Sequence, residues 1–271
     1  KWDNGSYEKG YYKNDNLNGE GIYISYTGHK YEGIFLDGKY NGKGKYTWSN
    51  GDYFKGTFKD DLKVYGTFYY INGDKLTGGL KNDLVNGQAI FIKSNGGKYE
   101  GEYFDGDKHG KGIYTWSDGD KYEGDYENGY RSGKGKYTYK SGTIYEGEYK
   151  NNEGNGNGKY IYSDGSIYVG EIKEGYEHGY GTMDYENGDK YAGYWKDGYS
   201  HGEGKMVYAN GDIYEGLWDN GKEAEGKTTL AKFKTDEKYY ALIIGNNKYE
   251  HLEPLDAAEN DAVEIEKVLR E

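Results

Sequence analysis

The chain of 271 residues contains no cysteine and one proline, Pro254. Without cysteine there is no disulfide framework, no thiolate metal site and no cysteine nucleophile. Aliphatic residues are scarce: hydrophobic types make up 34% of the chain, and much of that is tyrosine. No apolar run approaches the ~20 residues of a membrane-spanning helix, and no secretory leader is visible. Basic residues are in deficit, giving a net charge of −12. That excludes a general nucleic-acid binder, which needs a basic face to displace counterions. It also disfavours charge-driven binding to an anionic membrane. The expectation is a cytoplasmic protein with no cofactor and no metal.

What is abundant is tyrosine, at 36 residues, and glycine, at 47. Disordered chains are poor in aromatics, so the polarity here is not a sign of disorder. The glycines keep time. Gly10, Gly33, Gly56, Gly78, Gly101, Gly124, Gly147, Gly170, Gly193 and Gly216 follow one another at 23 residues, with one step of 22 between Gly56 and Gly78. A fixed period of this length marks a repeat architecture. About ten units are present.

Residues 98–120, "KYEGEYFDGDKHGKGIYTWSDGD", show the design. Side chains alternate along a strand, so Tyr99, Gly101 and Tyr103 share one face and Glu100 and Glu102 the other. In the second strand Gly112, Tyr114 and Trp116 share a face. Each unit thus predicts a hairpin with an aromatic, glycine-studded face and a polar face. The glycine between the rings is read as packing space. The same face recurs in Tyr122/Tyr126, Tyr145/Tyr149, Tyr191/Trp195 and Tyr214/Trp218. The pairs Asn50-Gly51, Asn72-Gly73, Asp118-Gly119, Asp164-Gly165, Asn187-Gly188 and Asn210-Gly211 predict two-residue hairpin turns. Acidic first strands opposite Lys136, Lys159 and Lys205 predict weak cross-strand ion pairs.

The fold expected is mainly β: an elongated, curved array of hairpins over residues 1–228, roughly 10 Å per unit. One hairpin is too small to fold alone, so stability comes from stacking of neighbours. The open sheet edge at an array end invites pairing.

The string "YEGEY…G…HGKGIYTWSDGDKYEGDY" resembles the MORN repeat, in which a tyrosine, any residue, a glycine and an aromatic are followed by a glycine pair. Aromatic–glycine repeats of bacterial cell-wall binding modules also form hairpins but lack this grammar. The resemblance implies scaffolding, dimerisation or targeting, with lipid association less supported. The fourth unit departs from it, with Leu76 for the tyrosine and Ala89 for a glycine. The first unit sets Glu8 or Tyr7 where the tyrosine is expected.

Three site readings arise within the array. His109, His178 and His201 hold the same position before Gly-x-Gly. Equivalent positions lie roughly 10 Å apart, too far for two of them to share one zinc ion with ligand distances of ~2.0–2.1 Å. Glu100/Glu102 and Glu146/Glu148 repeat as a ladder and read as a solvated face. "GNGNG" at 154–158 lacks the context of a phosphate loop. The binding-face candidates are therefore Tyr99, Tyr103, Tyr122, Tyr126, Tyr145, Tyr149, Tyr191, Trp195, Tyr214 and Trp218. Sequence leaves open whether these rings are core or groove.

The grammar fails after Gly226. Residues 229–237 read as a linker. "KYYALIIGNN" then has the continuous apolar run of a strand buried on both faces. From Asp256, the residues Ala258, Ala262, Ile265 and Leu269 fall on one helical face, and Asp256 with Glu259 matches a capping box. "YALIIGNNKY" and "PLDAAENDAVEIEKVL" resemble the first strand and first helix of the caspase-like cysteine peptidases, the superfamily that includes metacaspases. That resemblance implies an incomplete α/β domain over 238–271. It implies a catalytic histidine and cysteine on later strands, neither of which falls here; His251 lies in the wrong loop. Asp256 is the substrate-pocket candidate by the same resemblance, with helix capping as the plainer role.

The chain thus reads as the regulatory or scaffolding region of a caspase-like protease, with the rest of that domain as one partner. A protein partner or self-association is expected as well. The alternative is a stand-alone scaffold or membrane-associating adaptor with no protease role.

Overall fold

The computed structural model describes residues 5–230, with the backbone of three short strands, Phe233–Thr235, Lys238–Tyr240 and Ile243–Gly245. Asp256 and the expected helix lie outside the described residues, as do Ala241, Leu242, Asn246 and Asn247 of "KYYALIIGNN".

Twenty strands from Tyr7 to Thr229 form one sheet in which each strand pairs antiparallel with the next in sequence. Every 23-residue unit supplies a seven-residue strand, a tight turn and a second strand of about nine residues, as in Lys98–Phe104 and Asp107–Thr115. Contacts are local, so the array is built by adding hairpins to a growing edge.

Two turn types alternate, and the expectation about them needs correction. The two-residue turn falls at Asp105–Gly106 and its equivalents, not at the Asn-Gly and Asp-Gly pairs. Asp105 has φ 47° and Gly106 φ 92°, the double positive φ of a type I′ turn. The Asn-Gly pairs sit in the longer connection. Gly51 N–H donates to the Trp48 carbonyl at 3.0 Å, and Trp48 N–H donates to the Asp52 carbonyl at 2.9 Å. With Gly51 at φ 96°, this is a three-residue loop closed by a glycine bulge. Sequence could not separate the two because both use Asn, Asp and Gly.

The loops are tied from unit to unit. Asp52 Oδ1 accepts from Ile71 N–H at 2.7 Å, Asp120 Oδ1 from Lys140 N–H at 2.7 Å and Asp189 Oδ1 from Ala209 N–H at 2.8 Å. At the opposite edge, Gly129 N–H donates to the Lys108 carbonyl at 2.9 Å, a contact repeated at other tight turns. Backbone groups that a hairpin would leave unpaired are thus satisfied by its neighbour.

Each second strand carries a bulge inside its own hairpin. Gly101 pairs with Gly112, and Tyr103 next pairs with Lys108. Gly110 at the bulge has φ 59°. The two glycines of Gly-x-Gly therefore differ: the first is chosen for backbone conformation, the second for packing. The 22-residue step is absorbed here. Thr57 pairs with Tyr65 and Phe58 with Lys63, so only Val64 is extra. In the first unit Glu8 pairs with Tyr23 and so holds the tyrosine position.

Candidate functional site: the aromatic face

The Gly101–Gly112 pair explains why the first tyrosine of a unit lies flat. The Tyr99 ring covers the two glycines. An added Cβ at Gly101 would meet the Gly112 Cα and the Tyr99 hydroxyl at 2.6 Å. The Tyr99 hydroxyl donates to the Glu102 carbonyl at 3.0 Å. Tyr122, Tyr145, Tyr191 and Tyr214 do the same to Asp125, Glu148, Tyr194 and Leu217. Tyr99, Tyr122 and Tyr191 each take two edge-on neighbours, and Tyr145 and Tyr214 take one. Tyr99 lies 5.4 Å from Tyr103 in its own unit and 5.1 Å from Tyr126 in the next, both near perpendicular. The T-shaped geometry recurs for Tyr122 with Tyr149 and Tyr191 with Trp218. Such pairs add about 0.5–1.5 kcal/mol beyond burial, and they couple each hairpin to the next.

All ten binding-face candidates are inside. Tyr99 and Tyr122 have no exposed surface, Tyr145, Tyr191 and Tyr214 have 1%, and Tyr103, Tyr126, Tyr149, Trp195 and Trp218 have 6–7%. These rings are the core of the array. The reason is the glycine pair: it lets rings sink onto the backbone until neighbours close over them. What a partner can touch is the row above them, the half-buried Trp116, Tyr137, Tyr162, Tyr185 and Tyr208 with the more exposed Tyr139.

Burial shows in the ionisation of the rings. Desolvation pushes Tyr31 and Tyr145 up to about 12, and it raises Tyr103, Tyr126 and Tyr149 as well.

One register position on this face varies, and sequence reasoning missed it. It is the second-strand residue opposite the inner aromatic: Tyr40 opposite Phe35, Lys63 opposite Phe58, Val85 opposite Leu80, Lys108 opposite Tyr103, Arg131 opposite Tyr126, Gly154 opposite Tyr149, Glu177 opposite Ile172 and Ser200 opposite Trp195. The signal was present in the sequence one residue before His109 and His178. Without the bulge, its face could not be assigned.

The charges at this position lie over rings. Lys108 Nζ stands 4.9 Å from the Tyr99 centroid, 4.6 Å from Tyr114 and 5.9 Å from Tyr126. The Arg131 guanidinium lies 5.3–5.7 Å from Trp116, Tyr122, Tyr137 and Tyr149. Burial, with Lys93 nearby, holds the Lys108 ammonium down to about 8. Burial pushes the Glu177 carboxyl up. Lys63, by contrast, has Asp83 at 3.3 Å.

At Gly154 the row is interrupted. A cavity of about 400 Å³ opens there, with Trp116, Arg131, Tyr137, Tyr139, Tyr149 and Tyr160 among its walls and Glu153 and Glu174 also lining it. The Tyr145 ring lies over Gly154, where an added Cβ would meet it at 3.0–3.1 Å, and the Tyr160 hydroxyl donates to the Gly175 carbonyl at 2.6 Å. Its equivalent Tyr137 reaches the other way, to Asp120 at 2.6 Å.

The other sequence candidates are placed as follows. His178 sets Nδ1 at 3.7 Å from Asp197 in the following tight turn, His201 sets Nδ1 at 3.4 Å from Asp219 at the end of the following strand, and His109 lies against Phe104. Among the described residues no group of three or more metal-ligating side chains converges. On the polar face Lys136 meets Glu146 at 2.9 Å and Lys205 meets Glu215 at 3.7 Å. These exposed pairs contribute little.

The MORN repeat model matches residues 9–30, 31–53, 54–75, 99–121, 122–144, 145–167, 168–190 and 191–213. The stretch 76–98 that it passes over is the hairpin with Leu76 and Ala89. The caspase domain model matches residues 238–271. No curated protein matches the chain. Among solved structures, the TCP10 domain of Danio rerio CPAP is similar over 74% of this chain and 99% of its own, at 13% identity and a TM-score of 0.41. The TCP domain of Drosophila melanogaster SAS-4, solved with a proline-rich motif of Ana2, is similar over 64% of this chain and 94% of its own, at 16% identity and a TM-score of 0.39. With eight units matched in register over most of its length, the chain belongs to the MORN repeat family.

Proposed function

We propose that the hairpin array is the regulatory and scaffolding region of a caspase-like cysteine protease. The observation that carries this reading is the caspase-domain match at 238–271, which follows the array within one chain. By its resemblance, the matched segment is read as that domain's first strand and helix. The nucleophilic cysteine and its histidine base belong to later strands of that domain, and this chain has no cysteine. The array's contribution is to hold the protease near a partner or a second copy in the cytoplasm. Its rigid, laddered sheet presents one half-buried aromatic row and one charged face, which suits docking better than chemistry.

The test compares the parent protease with and without residues 1–228. Peptide hydrolysis and self-association are measured on both. The array-deleted form is expected to change in basal activity, in activation or in assembly state. The purified 1–271 chain is expected to hydrolyse nothing. Unchanged behaviour on deletion, or peptide cleavage by the chain alone, would sink the reading.

A further inference from the structure

The charge of the array is spread unevenly. Residues 1–152 hold 22 Asp and Glu against 22 Lys and Arg, whereas residues 153–228 hold 15 acids against seven lysines and no arginine. The later hairpins therefore carry −8, and a one-sided field of this kind favours a basic partner. The aromatic face changes along with it. Earlier in the array, a hairpin lays a cation over the outer ring of the hairpin before it. Lys63 Nζ stands 5.4 Å from the Trp48 centroid, and the Arg131 guanidinium 5.7 Å from Trp116. Tyr185 and Tyr208 hold the same repeat position as Trp116 and are half-buried. The residues set to cover them are Ser200 and Glu223. Among the described residues no cation lies over either ring.

Acids stand where the cations are missing. Glu223 accepts a hydrogen bond from the Tyr208 hydroxyl. Burial raises the Tyr185 phenol, and Asp189 and Glu177 add to that. Burial raises Tyr208 as well, with Glu223 and then Asp189 adding. The two rings thus share three acids, Glu177, Asp189 and Glu223. Glu177 is 7% exposed and has no ion pair among the described residues. A carboxylate withdrawn from water in this way gains strongly from a cation brought to it. The rings name the kind of cation. A flat guanidinium stacks on an aromatic face and offers its edge to a carboxylate, as Arg131 already stacks within this sheet.

We propose that Tyr185 and Tyr208, with Glu177, Asp189 and Glu223 around them, form a docking surface for an extended basic segment of a partner protein. One arginine of the segment covers each ring. Units repeat at roughly 10 Å along the sheet. A polyproline-type strand advances about 9 Å in three residues and returns to the same edge. The ligand therefore carries arginines at positions i and i+3 and lies across the strands on the half-buried aromatic row. The surface stands on its own geometry and does not depend on the protease reading.

The test uses the whole chain and fluorescein-labelled, end-capped nine-residue peptides. One has arginine at positions 3 and 6 among prolines and alanines, one has citrulline, the uncharged isostere, at both positions, and one has arginine at positions 3 and 4. Anisotropy is read at physiological salt. The first peptide is expected to bind at least tenfold more tightly than the citrulline peptide and at least threefold more tightly than the third. Glu177→Gln with Glu223→Gln is expected to weaken it at least tenfold. Glu203→Gln with Glu225→Gln removes the same charge from the opposite face, where both flank Leu217, and is expected to change affinity less than twofold. Glu223→Arg, at an exposed position, gives Tyr208 a cation of the chain's own; it is expected to abolish binding with the thermal midpoint within a few degrees of the parent. Equal binding of the citrulline peptide or of the third peptide, or no binding of the first at millimolar concentration, overturns the proposal. So does equal weakening by the two pairs of substitutions, or full affinity in the Glu223→Arg protein.

Discussion

Leu76 and Ala89 occupy, in the fourth hairpin, the two positions that neighbouring hairpins give to an aromatic ring and a glycine. Ala89 pairs with Gly78 as Gly112 pairs with Gly101. It is buried, at 5% exposure, in the same apolar cluster as Leu76. A leucine has no flat ring to lay over the strand pair, and the space it leaves admits one methyl group. The two departures from the repeat are therefore one coupled change.

That coupling is measurable. Leu76→Tyr alone is expected to destabilise the array by about 1–3 kcal/mol, the cost of overpacking against the Ala89 methyl. Adding Ala89→Gly is expected to recover most of it. Urea denaturation of the two single variants and the double variant gives the interaction energy, expected near 1 kcal/mol or above. Additive effects would show that the sites are independent.

The tight turn makes a separate prediction. An added Cβ at Gly106 would meet nothing closer than the Leu84 side chain at 3.7 Å, yet the backbone there has φ 92°. Gly106→Ala thus tests conformation alone and is expected to cost about 1–2 kcal/mol. Gly112→Ala tests packing and is expected to cost more, because its Cβ would overlap the Tyr99 ring. The order of the two urea midpoints checks the distinction between glycine as a turn residue and glycine as space.

Alkaline pH separates two buried groups of opposite sign. Lys108 is held down to about 8 in the folded chain, from 10.5. The unfolded chain therefore binds its proton more tightly, and this lysine's penalty is relieved as pH rises from about 8 to 10.5. The buried tyrosines run the other way. Tyr31 and Tyr145 are raised from 10.0 to about 12, so their contribution is complete below pH 10 and is lost as pH climbs towards 12. Lys108→Met is expected to be at least as stable as the parent at pH 7, with the gap closing by pH 10. Tyrosinate absorbance is expected to show a large fraction of the rings ionising only together with unfolding, above pH 10. Simple titration of every tyrosine near pH 10, with the sheet intact by circular dichroism, would contradict the burial.

Much of this architecture was legible in the sequence, because a repeat states its pattern many times over. Period, strand alternation and the pairing of glycine with tyrosine follow from side-chain geometry along an extended chain. The placement of the two-residue turn was not legible, since Asp-Gly and Asn-Gly serve both kinds of turn. Nor was the face of Lys108 and Arg131, which a strict alternation cannot assign across a bulge.

Sequence alone determined that this chain is a stack of aromatic–glycine hairpins followed by a segment that resembles a caspase domain. Local rules suffice for that, because each unit contacts only its neighbours. Tertiary structure decided which rings are core and which remain accessible. It also laid the Lys108 and Arg131 side chains over aromatic rings. Burial depends on what the adjacent unit places above a side chain, and no single unit contains that information.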